Sequence, residues 1–207
     1  MNVLVVAPHP DDESIGCGGT IRLHVSAGDR VDVAFLTSGE LGLDELPPDD
    51  ARVVREREAE VAAEILGLTS ITFLRHPDWF LGDVEQAARA ELCALAERTV
   101  PDRVLHPHVG EWHRDHSAAA RITLDMASTV GRELSLAAYE VWTPMSEFDD
   151  VEDISAVMGT KLAAVRAYGS QLATFNYDDA VEGLNRFRGA LAGHCEYAEV
   201  FCTPLDR

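Results

Sequence analysis

The chain has 207 residues, 46% of them hydrophobic and 26% charged, the balance of an ordinary globular protein with room for one well-buried domain over residues 1–207. Its 36 acidic residues against 17 basic ones give a net charge of −19, a field that repels phosphate backbones and argues against nucleic acid as a partner. The cysteines Cys17, Cys93, Cys195 and Cys202 are scattered and form no C-x-x-C pair, which argues against both a thiolate zinc site and a disulfide framework.

The first apolar run, residues 3–7, has no basic leader ahead of it, and no run in the chain is long enough to span a bilayer. A cytoplasmic protein without a signal peptide or an integral membrane segment is therefore expected. Residues 3–7 are almost continuously apolar, the pattern of a strand covered on both faces. Residues 31–37, 71–74, 104–105 and 136–141 read the same way. Between them lie helical stretches at 20–27, 50–66, 84–99 and 117–130. The second of these carries Val54, Val61, Ile65 and Leu66 and stops at Gly67. Further helices are expected at 155–168 and 179–191, so the C-terminal part reads as helical. The loop 38–49, rich in glycine, proline and acid, is a candidate mobile rim. The alternation predicts an α/β fold, a Rossmann-like open and mostly parallel sheet with helices on both faces.

In such sheets ligands bind beyond the carboxyl ends of the strands. Two strand-end segments concentrate chemistry. The first is the run Ala7, Pro8, His9, Pro10, Asp11, Asp12, Glu13, where an imidazole and two carboxylates within four positions suit zinc or another first-row divalent ion. The same acidic turn also suits a plain helix N-terminus. The second runs from His106 to His116 and holds His106, His108, His113 and His116, four of the eight histidines in the chain. His113 and His116 stand one helical turn apart, with Asp115 between them. Opposite another His/Asp cluster, this concentration favours a metal site. His106 and His108 are weaker candidates, suited to packing or to hydrogen bonds behind the site.

Together these residues resemble the PIG-L/LmbE-like family of zinc-dependent N-acetylglucosaminyl deacetylases. The resemblance continues through Arg55 and Glu58, Asp78, the segment from Tyr139 to Thr143, Lys161, the segment from Tyr168 to Gln171, and the segment from Ala198 to Phe201. Arg114 and Glu111 depart from the residues most often found beside the second motif. The resemblance implies that His9, Asp12 and His116 hold Zn2+, and the donor set also accommodates Fe2+. It implies that Asp11 is the general base and that His113, oriented by Asp115, stabilises the oxyanion as an imidazolium. It also implies that Arg55 and Asp78 approach the sugar hydroxyls. The implied substrate is a small-molecule N-acetylated sugar or glycoconjugate, and the implied assembly a homo-oligomer, a trimer or hexamer. The competing readings are a related amidase acting on a non-sugar acyl amide and a catalytically silent metal- or sugar-binding protein.

Overall fold

The structure, a computed structural model, describes residues 1–203. Five strands form the parallel part of the sheet: β1 (Asn2–Ala7), β2 (Arg30–Thr37), β3 (Ser70–His76), β4 (Arg103–Pro107) and β5 (Ser135–Tyr139). Two more, β6 (Asp150–Asp153) and β7 (Ala198–Cys202), close one edge in antiparallel register. The order is β3-β2-β1-β4-β5-β7-β6. The first two crossovers run outward from β1 through β2 to β3, and the chain then returns to place β4 on the other side of β1. The crevice between the ends of β1 and β4 is thus the point where strand order reverses, the place where open α/β sheets bind ligands.

The helices are α1 (Asp12–Ser26), α2 (Pro48–Leu66), α3 (Glu85–Thr99), α4 (Arg114–Thr129), α5 (Met158–Ala167), the short α6 (Gly169–Leu172) and α7 (Tyr177–Arg188). The pleat explains the unbroken apolar run of β1, because successive side chains point to opposite faces. Val3, Val5 and Ala7 enter a core shared with α1, α2 and α5, while Leu4 and Val6 enter a second core shared with α3 and α4. The five parallel strands and the helices after the first lie where the sequence pattern puts them, within a few residues at each end.

Two expectations are corrected. The first helix starts at Asp12, eight residues ahead of the expected position, and is broken at Cys17 (φ −141°, ψ 21°). The glycines that lower helix propensity here are kept for close packing: a Cβ on Gly16 would collide with the Tyr139 ring, and one on Gly19 would come 2.6 Å from Ile154. The break frees the N–H groups of Gly19 and Thr20, and both donate to the Glu199 carboxylate at 2.8 Å. Lys161 balances that buried charge at 2.6 Å. The second is an addition: the C-terminal part is helical as expected, in α5, α6 and α7, and it also contributes the unexpected strands β6 and β7. β6 is the acidic tetrapeptide from Asp150 to Asp153, with no apolar alternation, and it is a strand because β7 pairs with it.

Candidate metal and catalytic site

β1 ends in a turn stiffened by Pro8 and Pro10, which delivers His9, Asp11 and Asp12 to the crevice. Asp11 sits at φ 121°, ψ −30°, a region L-residues avoid and one that costs on the order of 1–3 kcal/mol. Its surroundings hold it there. The Asp11 N–H donates to Glu13 at 3.1 Å, and Glu13 in turn accepts from the hydroxyls of Ser14 (2.6 Å) and Tyr168 (2.7 Å). Arg55, from α2 and only 3% exposed, donates to the Pro10 carbonyl and to Asp11 Oδ2, the latter at 3.3 Å.

The opposite wall is regular. His113 is the N-cap of α4, its Nδ1 accepting the Asp115 N–H at 3.3 Å. His116, one turn on, is fully buried. The three imidazoles pack together, with ring centroids 5.0 Å apart for His9 and His113, 4.8 Å for His113 and His116, and 5.2 Å for His9 and His116.

Asp12 lies between the walls. Its Oδ2 is 3.2 Å from His9 Nδ1 and 3.3 Å from His116 Nε2. Two donors each about 2.0–2.1 Å from one ion at a tetrahedral angle stand about 3.3–3.4 Å apart, so these spacings fit a shared cation. The pattern of unpaired atoms agrees, since Asp12 Oδ1 and both ring nitrogens of His116 are buried without a hydrogen-bond partner. Donor atoms of His9, His113 and His116 also lie within 4.8 Å of one another, as do those of His9, Asp78 and Asp115. The structure therefore contains a His/Asp metal-binding group with His9 at its centre.

Behind these residues stands a ring of carboxylates. His9 Nε2 faces Asp78 Oδ1 at 3.0 Å and Asp115 Oδ2 at 3.4 Å, which leaves Nδ1 for the side of Asp12. Glu111 faces His116 Nδ1 at 3.7 Å and is anchored by the N–H groups of Val141 (2.7 Å) and Trp142 (3.1 Å). Burial works against the charge on Asp78 and Glu111. The nearby imidazoles, His9 for the first and His108 and His116 for the second, outweigh it and hold both carboxyls below their ordinary range. The Asp12 carboxyl is likewise held low, the charges of His116 and His9 overcoming its burial. His9 is raised despite burial by its bonds to Asp115, Asp12 and Asp78. Asp11 behaves oppositely: burial pushes its carboxyl up to about 8, and the Arg55 charge offsets only part of that rise. Burial, followed by the neighbouring His9 and His116, pushes His113 down to about 4.

All eight residues singled out in the sequence thus converge on one centre. One of them, Asp115, sits differently from expectation, while Asp78 and Arg55 are each anchored by the protein itself. The Asp115 carboxylate does not orient the His113 ring; it accepts from the backbone N–H groups of Trp79 (2.6 Å) and Leu81 (3.2 Å) and faces His9. Asp78 is 3% exposed and is bonded to His9 and to the N–H groups of Leu41 and Trp79. Arg55 is bonded to the turn that carries Asp11. Sequence reasoning assigned no role to Glu13 or Tyr168 and left the effect of Glu111 open. Both acids lie inside the two motifs, but their partners come from distant elements that spacing does not reveal. His108 donates toward the Thr143 carbonyl at 2.8 Å, and His106 is a buried core histidine held neutral, with a pKa near about 4 because of that burial.

Comparison with known proteins gives a consistent family picture. The PIG-L family model, described as GlcNAc-PI de-N-acetylase, matches residues 4–127. A probable N-acetyl-α-D-glucosaminyl L-malate deacetylase of Bacillus cereus is 32% identical, the match covering 82% of this chain and 83% of that protein. The diacetylchitobiose deacetylase of Thermococcus kodakarensis is 28% identical over 95% of this chain and 80% of its own. Among solved structures, a conserved protein of Thermus thermophilus superposes with a TM-score of 0.86 at 33% identity, covering 99% of this chain and 95% of that one.

Proposed function

This chain belongs to the PIG-L family, and from that premise we propose that it is a zinc-dependent N-deacetylase, removing the acetyl group from an N-acetylglucosamine-type sugar or glycoconjugate. The observation that carries the reading is Asp12 Oδ2 standing 3.2 Å and 3.3 Å from the ring nitrogens of His9 and His116, with a second buried carboxyl, Asp11, next in the chain. His9, Asp12 and His116 would hold the metal. When bound, zinc supplies Lewis-acid polarisation of the amide carbonyl and lowers the pKa of water toward about 7.

The remaining work belongs to the chain's own residues. Asp11, as the carboxylate, takes a proton from the attacking water and returns it to the leaving amine. His113 accepts the Asp115 N–H at Nδ1, so its ring proton is on Nε2, where it is donated to the developing oxyanion. This assigns His113 as a neutral donor in place of the expected imidazolium. Arg55 acts as a positioning residue for Asp11, and Asp78 as one for His9. Every residue named lies on a turn or helix connected to one seven-stranded sheet, which supports reading the chain as one deacetylase domain.

The test is acetate release by the zinc-loaded protein from N-acetylglucosamine and its glycosides, with Asp11→Asn as the informative variant. Asp11→Asn is expected to retain stoichiometric metal while turnover falls by about 10²–10⁴-fold. Turnover within tenfold of the parent would remove Asp11 from the mechanism.

A further inference from the structure

Two exposed tryptophans stand at the rim of the site and have no part in the chemistry above. Trp79 follows β3 and is 41% exposed; Trp112 precedes α4 and is 66% exposed. Both rings pack against His113, with centroid distances of 4.6 Å for Trp79 and 5.5 Å for Trp112. The two indoles come from different loops, and among the described residues they make no stacking contact with each other. His113 is therefore the floor between two aromatic walls.

Trp79 is at φ 67°, a conformation that suits glycine. Its N–H donates to both Asp115 Oδ2 (2.6 Å) and Asp78 Oδ1 (2.9 Å), so the carboxylates that face His9 also hold this backbone in place. The chain thus bears local strain to keep a half-exposed indole beside the imidazole assigned to the oxyanion. Packing does not explain an aromatic ring left in solvent at such a position.

The charge around this rim is acidic. Glu40, Asp44 and Glu45 lie on the loop after β2, and that loop is tied to the site through the Leu41 N–H bond to Asp78. Of the nearby cations, Arg55 is buried against Asp11 at 3.3 Å, and Arg114 lies 4.0 Å from Asp83 and over the Phe80 ring at 5.6 Å. A carboxylate or phosphate on the incoming aglycone meets like charge here. A neutral pyranose does not, and it presents a face of polarised C–H groups that packs on the electron-rich face of an indole.

We propose that Trp79 and Trp112 form a clamp for a second, uncharged sugar ring, so that the preferred substrates are neutral N-acetylglucosaminyl oligosaccharides rather than glycosides of an anionic aglycone. This deepens the deacetylase reading and rests on it for the position of the first ring.

The experiment compares kcat/KM for acetate release from N-acetylglucosamine, N,N′-diacetylchitobiose and N-acetylglucosaminyl malate. It uses the zinc-loaded full chain and its Trp79→Gly, Trp112→Ala, Trp79→Phe and Trp112→Phe variants. Trp79→Gly places at φ 67° the residue that region favours, which protects the fold. A parallel titration follows tryptophan fluorescence of the chelated protein on adding the disaccharide. The parent is expected to prefer the disaccharide over the monosaccharide at least tenfold, mainly through KM, and to use the malate glycoside least. That preference should fall to within about threefold in Trp79→Gly and in Trp112→Ala, and return in the Phe variants. A disaccharide no better than the monosaccharide, a preference unchanged in Trp79→Gly and Trp112→Ala, or a malate glycoside best of the three would overturn the clamp. Disaccharide-dependent fluorescence that weakens in those two variants, with no acetate released from any sugar, would support the clamp and overturn the deacetylase reading.

Discussion

The two walls of the site are built on opposite principles. The wall after β1 is strained: Asp11 sits at φ 121° and is held by a buried network of the neighbouring Glu13 with Tyr168 and Arg55 from two distant parts of the chain. The wall after β4 is regular, with His113 capping α4, and His116 one turn along the same helix. The helical wall takes its geometry from local chain rules, whereas the strained wall takes its geometry from tertiary contacts. The difference matters because the strained wall carries the group whose protonation must change, and the helical wall carries groups that need only stay in place. Backbone strain concentrated at the reacting group, with the surrounding structure over-determining it, is the pattern of a pre-organised site.

The two walls should differ most under substitution at Asp11. Asp11→Asn should lower kcat by about 10²–10⁴-fold with metal content unchanged. Asp11→Gly should lose activity as fully while its melting temperature stays at or above that of the parent, because glycine relieves the positive φ. A clear drop in melting temperature would show that Asp11 is held by favourable contacts rather than against strain. On the regular wall, His113→Ala should cost about 10²–10³-fold in kcat by removing one oxyanion donor. Circular dichroism should show α4 intact, because an N-cap change costs only about 0.5–2 kcal/mol.

Behind the regular wall, Glu111→Gln should weaken zinc binding by about 10–100-fold in a competition titration, since the carboxylate facing His116 loses its charge. Affinity within twofold of the parent would make Glu111 an anchor for the loop after β5 alone. The smallest expected effect is Tyr168→Phe, which removes the hydroxyl bond to Glu13. It should lower stability by about 1 kcal/mol in denaturant unfolding, with a modest loss of kcat as the Asp11 turn loosens.

The same contrast explains what the sequence could and could not disclose. Strands buried on both faces announce themselves as apolar runs, so β1 to β5 and the parallel sheet were legible. The residues that converge were legible too, because two dense motifs at strand ends leave few other uses for so many imidazoles and carboxylates. Their partners were not. Glu13 reads as a helix-capping acid until Tyr168 is seen against it, 155 residues away in sequence. Asp115 reads as the partner of its neighbour His113, yet its carboxylate reaches across to Trp79, Leu81 and His9. β6 and the early start of α1 were missed for a related reason: pairing with β7 makes one a strand, and close packing of Gly16 and Gly19 on Tyr139 and Ile154 accounts for the glycines of the other.

The activity expected of the metal group around His9 is amide hydrolysis of an N-acetylated sugar. The most direct measurement is acetate release from a panel of free, α-linked, β-linked and oligomeric N-acetylglucosaminides, by zinc-loaded protein and by the same sample after chelation. Release should disappear on chelation and return with zinc. Release that persists undiminished in the chelated sample, or a zinc-replete sample that hydrolyses no member of the panel, would contradict it.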